Sequence, residues 1–410
     1  MRIAVHDYAG HPFQFDLSRE LARRGHEVGH FYFAGDNGPK GATTLPDDPA
    51  GLSVTPIEVA GQYDKANLLL RRRMDQQYGK AAAERIRAFR PDVVISGNTP
   101  LDSQGGLLAA AHASGAAFVF WMQDFLSLGM QRLLQKRMGL IGKLIADDYY
   151  RRESAMLRKS DGVVVISSDF ERRVAELGVP AARIMTIPNW GAIDSLPLRP
   201  KANAWSKAHG LEKKFTFLYS GTLAWKHNPD LLWRLAQDFS ADGDAGLTLT
   251  SAGVCVDQLK ARQAEEGQNL INFLPLQPME VFPDLLGAAD VLIALLEPDA
   301  GEFSVPSKIL SYLCAGRPIL LAAPASNLAT QIVLEAGAGL CVDPADAEAF
   351  CAAARRLHGD PALRTAFGKA GRDYAERTFS ISAVTDRFEG AFEAALAQAN
   401  ASKRGPHEAK

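Results

Sequence analysis

The sequence contains no run of about 18 apolar residues, so no helical segment of it is expected to span a membrane. Cysteine is scarce. Its four thiols, Cys255, Cys314, Cys341 and Cys351, all fall in the second half, without the paired spacing of a zinc site or a companion histidine cluster. They read as buried thiols of a reducing cytoplasm. Neither sign of charge dominates: 45 Lys and Arg stand against 47 Asp and Glu, a formal net charge of −2. That balance excludes an ordinary nucleic-acid partner, because binding a phosphate backbone needs a concentrated basic excess. The opening Met1-Arg2-Ile3-Ala4-Val5-His6-Asp7 reads as a strand start, without the long apolar core of a signal peptide. G-x-G-x-x-G is missing after that strand, which disfavours a nicotinamide oxidoreductase. Only Gly10 is there to let a ligand approach the backbone. The one Asp-x-Asp, Asp242-Gly243-Asp244, reads as a turn before a strand, so no metal is expected.

What is present is an ordinary globular composition, 47% hydrophobic and 22% charged over 410 residues, enough for two domains with sizeable cores. In the first half, strands are expected at Ile3–Val5, His26–Phe33, Ser53–Val59, Val93–Ser96, Ala116–Trp121, Gly162–Ser167 and Ile184–Ile187. Between them run helices such as Phe13–Arg24 and Asp64–Arg90, the latter carrying Arg71-Arg72-Arg73 on what reads as a solvated face. The Pro- and Gly-containing stretch Pro188–Pro200 reads as a linker, and the pattern then starts afresh. Strands are expected at Phe215–Tyr219, Leu247–Ser251, Leu270–Leu274, Val291–Leu295, Ile319–Ala322 and Leu340–Val342, with a helix Pro229–Phe239 capped by Asn228. Strand–helix alternation predicts an α/β protein of two doubly wound parallel sheets, their strand carboxyl ends facing a shared cleft. The expected division is 1–195, 196–380, a C-terminal helix 381–398 placed to pack back on the first domain, and a disordered tail 399–410.

The chain is organised around Leu292–Ala322. A strand ends there in the loop Gly301-Glu302-Phe303-Ser304-Val305-Pro306-Ser307-Lys308, and a short helix with apolar Ile309, Leu310 and Leu313 follows. Gly316 ends that helix and Pro318 prevents its continuation. Such a loop, between a strand's carboxyl end and a helix's amino end, is where open α/β sheets receive anions. Pro306 suits a first helical turn and Ser304 its cap, but Lys308 is a cation where the helix itself disfavours one. A second loop, Ser220-Gly221-Thr222-Leu223-Ala224-Trp225-Lys226-His227-Asn228, adds Gly221 and Lys226. Two lysines and a helix terminus suit a pyrophosphate better than a neutral ligand. Glu302 is the candidate for orienting a sugar hydroxyl or stabilising positive charge at an anomeric carbon, against the plain reading of an exposed glutamate. His6, Asp7 and His11 are placed in the first loop, and Trp121, Trp190 and Trp225 each follow a strand, where an indole stacks on a sugar or belongs to the core.

From Phe125 to Ala146 there is no acidic residue, while Arg132, Lys136, Arg137 and Lys143 alternate with Leu126, Met130, Leu133, Leu134, Met138, Ile141, Leu144 and Ile145. The spacing predicts a basic amphipathic helix broken near Gly139 or Gly142. It lies either on an anionic membrane or on its own domain.

These motifs together resemble glycosyltransferases of the GT-B fold, family 4. Leu21-Ala22-Arg23-Arg24-Gly25-His26-Glu27-Val28, Arg90-Pro91-Asp92-Val93-Val94-Ile95, Ile187-Pro188-Asn189-Trp190-Gly191 with Asp194, and Tyr219-Ser220-Gly221-Thr222 carry the likeness. Val305-Pro306-Ser307-Lys308 with Ala315-Gly316-Arg317-Pro318 is most similar to the WbuB/WcaI-like branch, which builds bacterial O-antigen and exopolysaccharide units. The resemblance covers residues 1 to 398 in order. It implies retaining transfer of a hexosyl or N-acetylhexosaminyl group from a nucleotide-diphosphate-sugar to a saccharide acceptor linked to a polyprenyl diphosphate. The donor would lie on the second domain and the acceptor on the first, without metal or other cofactor, in a cytoplasmic enzyme peripheral to the inner face of the plasma membrane.

Carried over position by position, Lys226 matches the family lysine on the donor diphosphate, and Glu302 lies next to the first glutamate of E-x7-E. Gly301 and Ile309 occupy the two glutamate positions themselves, a departure that Ser307 and Lys308 are expected to offset. Gln123-Asp124 stands where the family has a histidine before an aspartate. Gln123 is no base, but it can hydrogen-bond a donor sugar. The expected catalytic set is Glu302, Gln123 and His11, with His11 orienting the acceptor hydroxyl. The expected donor-binding set is Gly10, Gly221, Thr222, Lys226, Leu274 and Glu302, Phe303, Ser304, Val305, Pro306, Ser307 and Lys308. The alternative is a non-catalytic GT-B subunit that binds nucleotide or a partner transferase.

Overall fold

The computed structural model describes residues 1–35, 42–60, 68–224, 227–241, 243–297 and 308–404, with the backbone alone for 68, 69, 132, 133, 135–137 and 404. The chain divides into two compact units, Met1–Asn189 with Ile381–Lys410, and Trp190–Ser380. The change of unit falls between Asn189 and Trp190, inside the proline-containing stretch and ahead of the 195/196 boundary expected from sequence.

The first unit runs β1 (Arg2–Asp7), α1 (Pro12–Arg23), β2 (Glu27–Phe33), β3 (Leu52–Ile57), α2 (Leu68–Phe89), β4 (Val93–Gly97), α3 (Leu101–Ala113), β5 (Ala117–Met122), α4 (Leu126–Lys159), β6 (Gly162–Val165), α5 (Ser168–Glu176) and β7 (Ile184–Thr186). Its parallel sheet has the order β3-β2-β1-β4-β5-β6-β7. β4, β5 and β6 are buried at every position, as parallel strands covered by helices on both faces must be. β6 stops at Val165, short of the expected Ser167, because the Ser167 hydroxyl accepts from Phe170 N and caps α5.

The second unit runs α6 (Ala204–Ala208), β8 (Phe215–Ser220), α7 (Pro229–Asp238), β9 (Ala245–Thr250), α8 (Val254–Glu265), β10 (Ile271–Leu274), α9 (Phe282–Gly287), β11 (Val291–Leu295), α10 (Lys308–Cys314), β12 (Ile319–Ala322), α11 (Leu328–Ala336), β13 (Gly339–Val342), α12 (Ala347–Gly359) and α13 (Pro361–Thr378). Its parallel sheet has the order β10-β9-β8-β11-β12-β13. Asn228 stands at the start of α7 but does not cap it: its backbone is left-handed (φ 42°) and its amide donates to Pro344 O at 3.2 Å. Three of the cysteines are buried. Cys341 is half-buried, and desolvation pushes its thiol up to about 11.

The chain returns to the first unit through α14 (Ile381–Arg404). Phe388 packs on Trp121 at 4.9 Å between ring centroids, and Arg24 bonds Asp386 and Glu389 at 2.6 Å each. Lys403 Nζ donates to Gly115 O at 2.8 Å. The helix therefore continues through Arg404, and the disordered tail expected from 399 does not begin there.

α4 departs further from expectation. Instead of ending near Ala146 it continues to Lys159, and at Gly139 (φ 55°, ψ −128°) the backbone leaves helical geometry. Leu126 and Glu153 are 27 residues apart, which in a straight helix separates them by about 40 Å. Yet Leu126 N donates to Glu153 Oε1 at 3.2 Å, and Ser127 Oγ bonds the other oxygen. α4 is thus a hairpin of two helical arms that turns at Gly139. Burial pushes the Glu153 carboxyl up to about 7, while the donors from Ser127 and Leu126 oppose that shift. Among the described residues no helix is long and apolar enough to cross a membrane.

Candidate functional site

Each sheet has one place where its strand order reverses, between β1 and β4 in the first unit and between β8 and β11 in the second. Loops leaving adjacent strands there diverge to opposite faces and open a crevice at the strand carboxyl ends, the usual ligand position of open α/β sheets. The loops after β1 and β8 are the ones carrying His11 and Gly221.

In the second unit the structure brings Lys308, Tyr219 and Gly221 together. Lys308 opens α10, and its Nζ lies 3.6 Å from the centroid of the Tyr219 ring at the end of β8. A Cβ added at Gly221 would lie 3.6 Å from the same nitrogen. Tyr312, one helical turn beyond Lys308, fixes that placement: its hydroxyl donates to Ile293 O and accepts from Ser220 N, each at 3.2 Å. Tyr219 OH in turn donates to the carbonyl of Thr222 at 2.9 Å. The loop is tied to the next strand as well, with Gly221 N to Thr250 O at 3.0 Å, Ser251 Oγ to Gly221 O at 2.6 Å and Leu223 N to Ala252 O at 2.9 Å. The result is an ammonium group held on an aromatic face beside a glycine of positive φ (117°), whose own N–H and carbonyl are both bonded to the next strand. An anion is the natural complement of that arrangement. Leu274 ends the edge strand β10, two strands from β8, and its carbonyl accepts from Ser251 N at 3.0 Å. Trp225, Lys226, Asp242 and the loop residues Gly301, Glu302, Phe303, Ser304, Val305, Pro306 and Ser307 lie outside the described residues.

In the first unit, His6 and Asp7 belong to β1 itself and not to the loop where they were expected. His6 is fully buried between Tyr78 OH (2.7 Å), Ser96 Oγ (3.0 Å) and Thr99 Oγ1 (3.1 Å), and desolvation lowers its pKa to about 4. It is a neutral structural histidine. Asp7, also fully buried, accepts from Ala9 N at 3.2 Å, from His11 N and from His11 Nδ1 at 3.1 Å. Burial alone pushes the Asp7 carboxyl up; the His11 ring and N–H outweigh it and hold the group below its ordinary value. When the ring is neutral, Nδ1–H on the ionised Asp7 carboxylate leaves Nε2 as the acceptor. Gly10 supplies the turn (φ 74°) that returns His11 to Asp7. Gln123 follows β5, half-buried, and its Oε1 accepts from Asn189 at 3.4 Å. Trp121 and Trp190 are core residues, not platforms for a ligand.

Sequence reasoning missed the Tyr219 seat beneath Lys308 and the Asp7–His11 pair as a unit. Only the second had a signal in the sequence, an Asp and a His four apart across a glycine.

His6 and His30, both fully buried, have pKa values lowered by desolvation from 6.5 to about 4 and about 3. Between those values and 6.5 the unfolded chain binds protons that the folded one refuses, so stability falls as pH drops through that window. Glu153 works the opposite way over an overlapping range, but it is one carboxyl against two histidines. The midpoint of urea unfolding of the first unit should therefore decrease from pH 7 to pH 4.5, and His30→Gln, with no proton to gain, should flatten the slope. A midpoint constant over that range would refute neutral burial of the pair.

The Glycosyl transferase 4-like domain matches residues 12–190, and Glycosyl transferases group 1 matches residues 201–374. The chain belongs to the family 4 glycosyltransferases of the GT-B fold. Within them it falls in the WcaI-like branch: over 306 residues it is 27% identical to WcaI of Escherichia coli (strain K12), a protein named for colanic acid biosynthesis, and the match covers 74% of each chain. Solved structures share the fold at low identity. HepE of Anabaena in complex with UDP and glucose is 15% identical, covers 96% of this chain and 99% of its own, and has a TM-score of 0.71. Sucrose-phosphate synthase from Thermosynechococcus elongatus is 16% identical, covers 97% and 99%, and has a TM-score of 0.73. WaaG, a glycosyltransferase involved in lipopolysaccharide biosynthesis, is 16% identical, covers 95% and 98%, and has a TM-score of 0.64.

Proposed function

We propose that this protein moves a hexosyl or N-acetylhexosaminyl group, with retention at the anomeric carbon, from a nucleotide-diphosphate donor to a saccharide carried on a polyprenyl diphosphate. The acceptor saccharide belongs to a bacterial surface polysaccharide, and the enzyme works at the inner face of the plasma membrane. The observation that carries the donor half is the Lys308 ammonium seated on Tyr219 beside Gly221, at the strand-order reversal of the second unit. There the departing diphosphate meets a fixed cation, and Lys226, Thr222 and Ser307 are its further proposed contacts, without a metal. Glu302 stabilises the positive charge at the anomeric carbon, and Gln123 holds a hydroxyl of the donor sugar. On the acceptor side His11 Nε2 accepts the hydrogen of the attacking hydroxyl, its tautomer set by Asp7. The hydroxyl oxygen bonds to the anomeric carbon on the same face from which the diphosphate oxygen departs, as the bond from that carbon to the diphosphate oxygen breaks, so the configuration is retained. The naming of WcaI for colanic acid biosynthesis and the UDP and glucose bound to HepE support this reading.

The test is thermal unfolding against a panel of nucleotide-sugars, nucleoside diphosphates and NAD. A specific ligand at one hundred times its dissociation constant stabilises by about 2.7 kcal/mol. For a unit of this size that is roughly 5 to 10 °C. The expected result is a shift with one diphosphate family and none with NAD. A folded protein that responds to none of them would favour the alternative, a non-catalytic GT-B subunit that binds a partner transferase.

A further inference from the structure

The α4 hairpin emerges directly from the carboxyl end of β5, on the same edge of the first sheet as the loop carrying His11. Its base is anchored. Glu153 receives Leu126 N and Ser127 Oγ, Tyr149 OH bonds Asp102 of α3, and Phe125 packs on Phe170 at 4.8 Å. Its tip is the reverse. Met138, Leu140, Ile141 and Leu144 are 43%, 82%, 62% and 67% exposed, around the turn at Gly139. A helix that merely covered its own sheet would turn these side chains inward, as it does Ala146, Tyr149 and Leu157 further along the second arm.

We propose that this tip docks the protein on an anionic lipid bilayer, with the aliphatic side chains entering the headgroup and acyl boundary. Charge selects lipid over a protein partner. The stretch from Phe125 to Ala146 contains Arg132, Lys136, Arg137 and Lys143 and no acidic residue, in a chain whose net charge is −2. A stretch of sequence that is basic and free of acids and carries protruding aliphatics matches an anionic leaflet. Shape agrees: four side chains at a convex tip cannot supply the roughly 800 Å² per partner of a stable protein interface. Lys143 has a neighbouring carboxylate at 3.0 Å, Asp147, which weakens its pull on the headgroups. Docking does not depend on which sugar is moved. Its use, delivery of a lipid-linked acceptor to the loop after β1, rests on the function proposed above.

The experiment is co-sedimentation of the full chain, without donor, with vesicles of phosphatidylglycerol and phosphatidylcholine and with vesicles of phosphatidylcholine alone. The expected result is binding to the anionic vesicles, weakened by salt, and at least tenfold weaker to the neutral ones. Replacing Leu140, Ile141 and Leu144 together with Asp should reduce partitioning at least tenfold. Leu334→Asp, an equally exposed leucine of the second unit, should leave it unchanged. Equal binding by wild type and the triple variant, or no binding to anionic vesicles, overturns the proposal. So does a concentration-dependent dimer that the triple variant abolishes while vesicle binding persists, since a second copy would then own the tip. The donor-induced thermal shift of the second unit is read separately, so failure of docking and failure of the transferase reading are distinguishable.

Discussion

Replacing Lys308 with alanine should weaken binding of the nucleotide-diphosphate donor by about thirty-fold or more, because truncating one member of a charge-assisted contact costs about 2 kcal/mol or more. The alanine variant also loses the cation–aromatic contact with Tyr219, worth on the order of 1 kcal/mol to folding. Affinity must therefore be read by calorimetry on a protein shown to be folded, not inferred from melting alone. Lys308→Met separates the two effects, since it keeps an apolar stem on the Tyr219 ring and removes only the charge. If charge at the diphosphate is what matters, the methionine variant binds donor as poorly as the alanine variant. Binding of the nucleoside without phosphates should then be unaffected in both. Undiminished diphosphate affinity in either variant would sink the assignment.

The parallel sheets were legible because their strands are short, apolar and β-branched, and a helical pattern follows nearly every one. Ends were less legible, since caps decide them: Ser167 shortens β6, while Asn228, chosen as a cap on residue type, gives its side chain to Pro344. Lys308 stood out in the sequence as a cation where its helix disfavours one, a local conflict that points to a site. Nothing local announced Tyr219 as its seat, because residues 219 and 308 meet only once β8 and β11 lie side by side. His6 and Asp7 look alike as polar residues near a loop. The sheet separates them, burying His6 among hydroxyls and turning Asp7 onto His11. The hairpin in α4 was half visible, as a glycine interrupting an amphipathic pattern. Its reversal depends on Glu153, 27 residues downstream of the backbone N–H it accepts from, which periodicity cannot reveal.

Gly253→Ala should cripple the second unit and its ligand loop together. Gly253 precedes α8 with φ 124° and ψ 167°, a region of backbone space essentially reserved for glycine, where a side chain costs about 1 to 3 kcal/mol. Its added Cβ would also lie 2.5 Å from the carbonyl oxygen of Leu223, a backbone atom that cannot swing aside. Overpacking of that kind costs typically 1 to 3 kcal/mol more. For a unit of this size the sum, about 2 to 6 kcal/mol, lowers Tm by roughly 4 to 24 °C. The contact also has a direction: relief comes by pushing residues 222 and 223 away from residues 251 to 253, which breaks Leu223 N to Ala252 O and moves the Thr222 carbonyl off Tyr219. The seat of Lys308 is disturbed by that shift. Residual folded Gly253→Ala should therefore bind nucleoside diphosphate more weakly than wild type at a temperature where both are folded. Gly337→Ala is the control. Its φ is 58°, its added Cβ comes no nearer than 4.0 Å to a neighbour, and it ends α11, away from the loop after β8. It should lose stability with donor affinity intact. If Gly253→Ala loses stability but binds the diphosphate as tightly as wild type, the close approach of these two backbones supports the fold alone and the loop after β8 is not positioned through it.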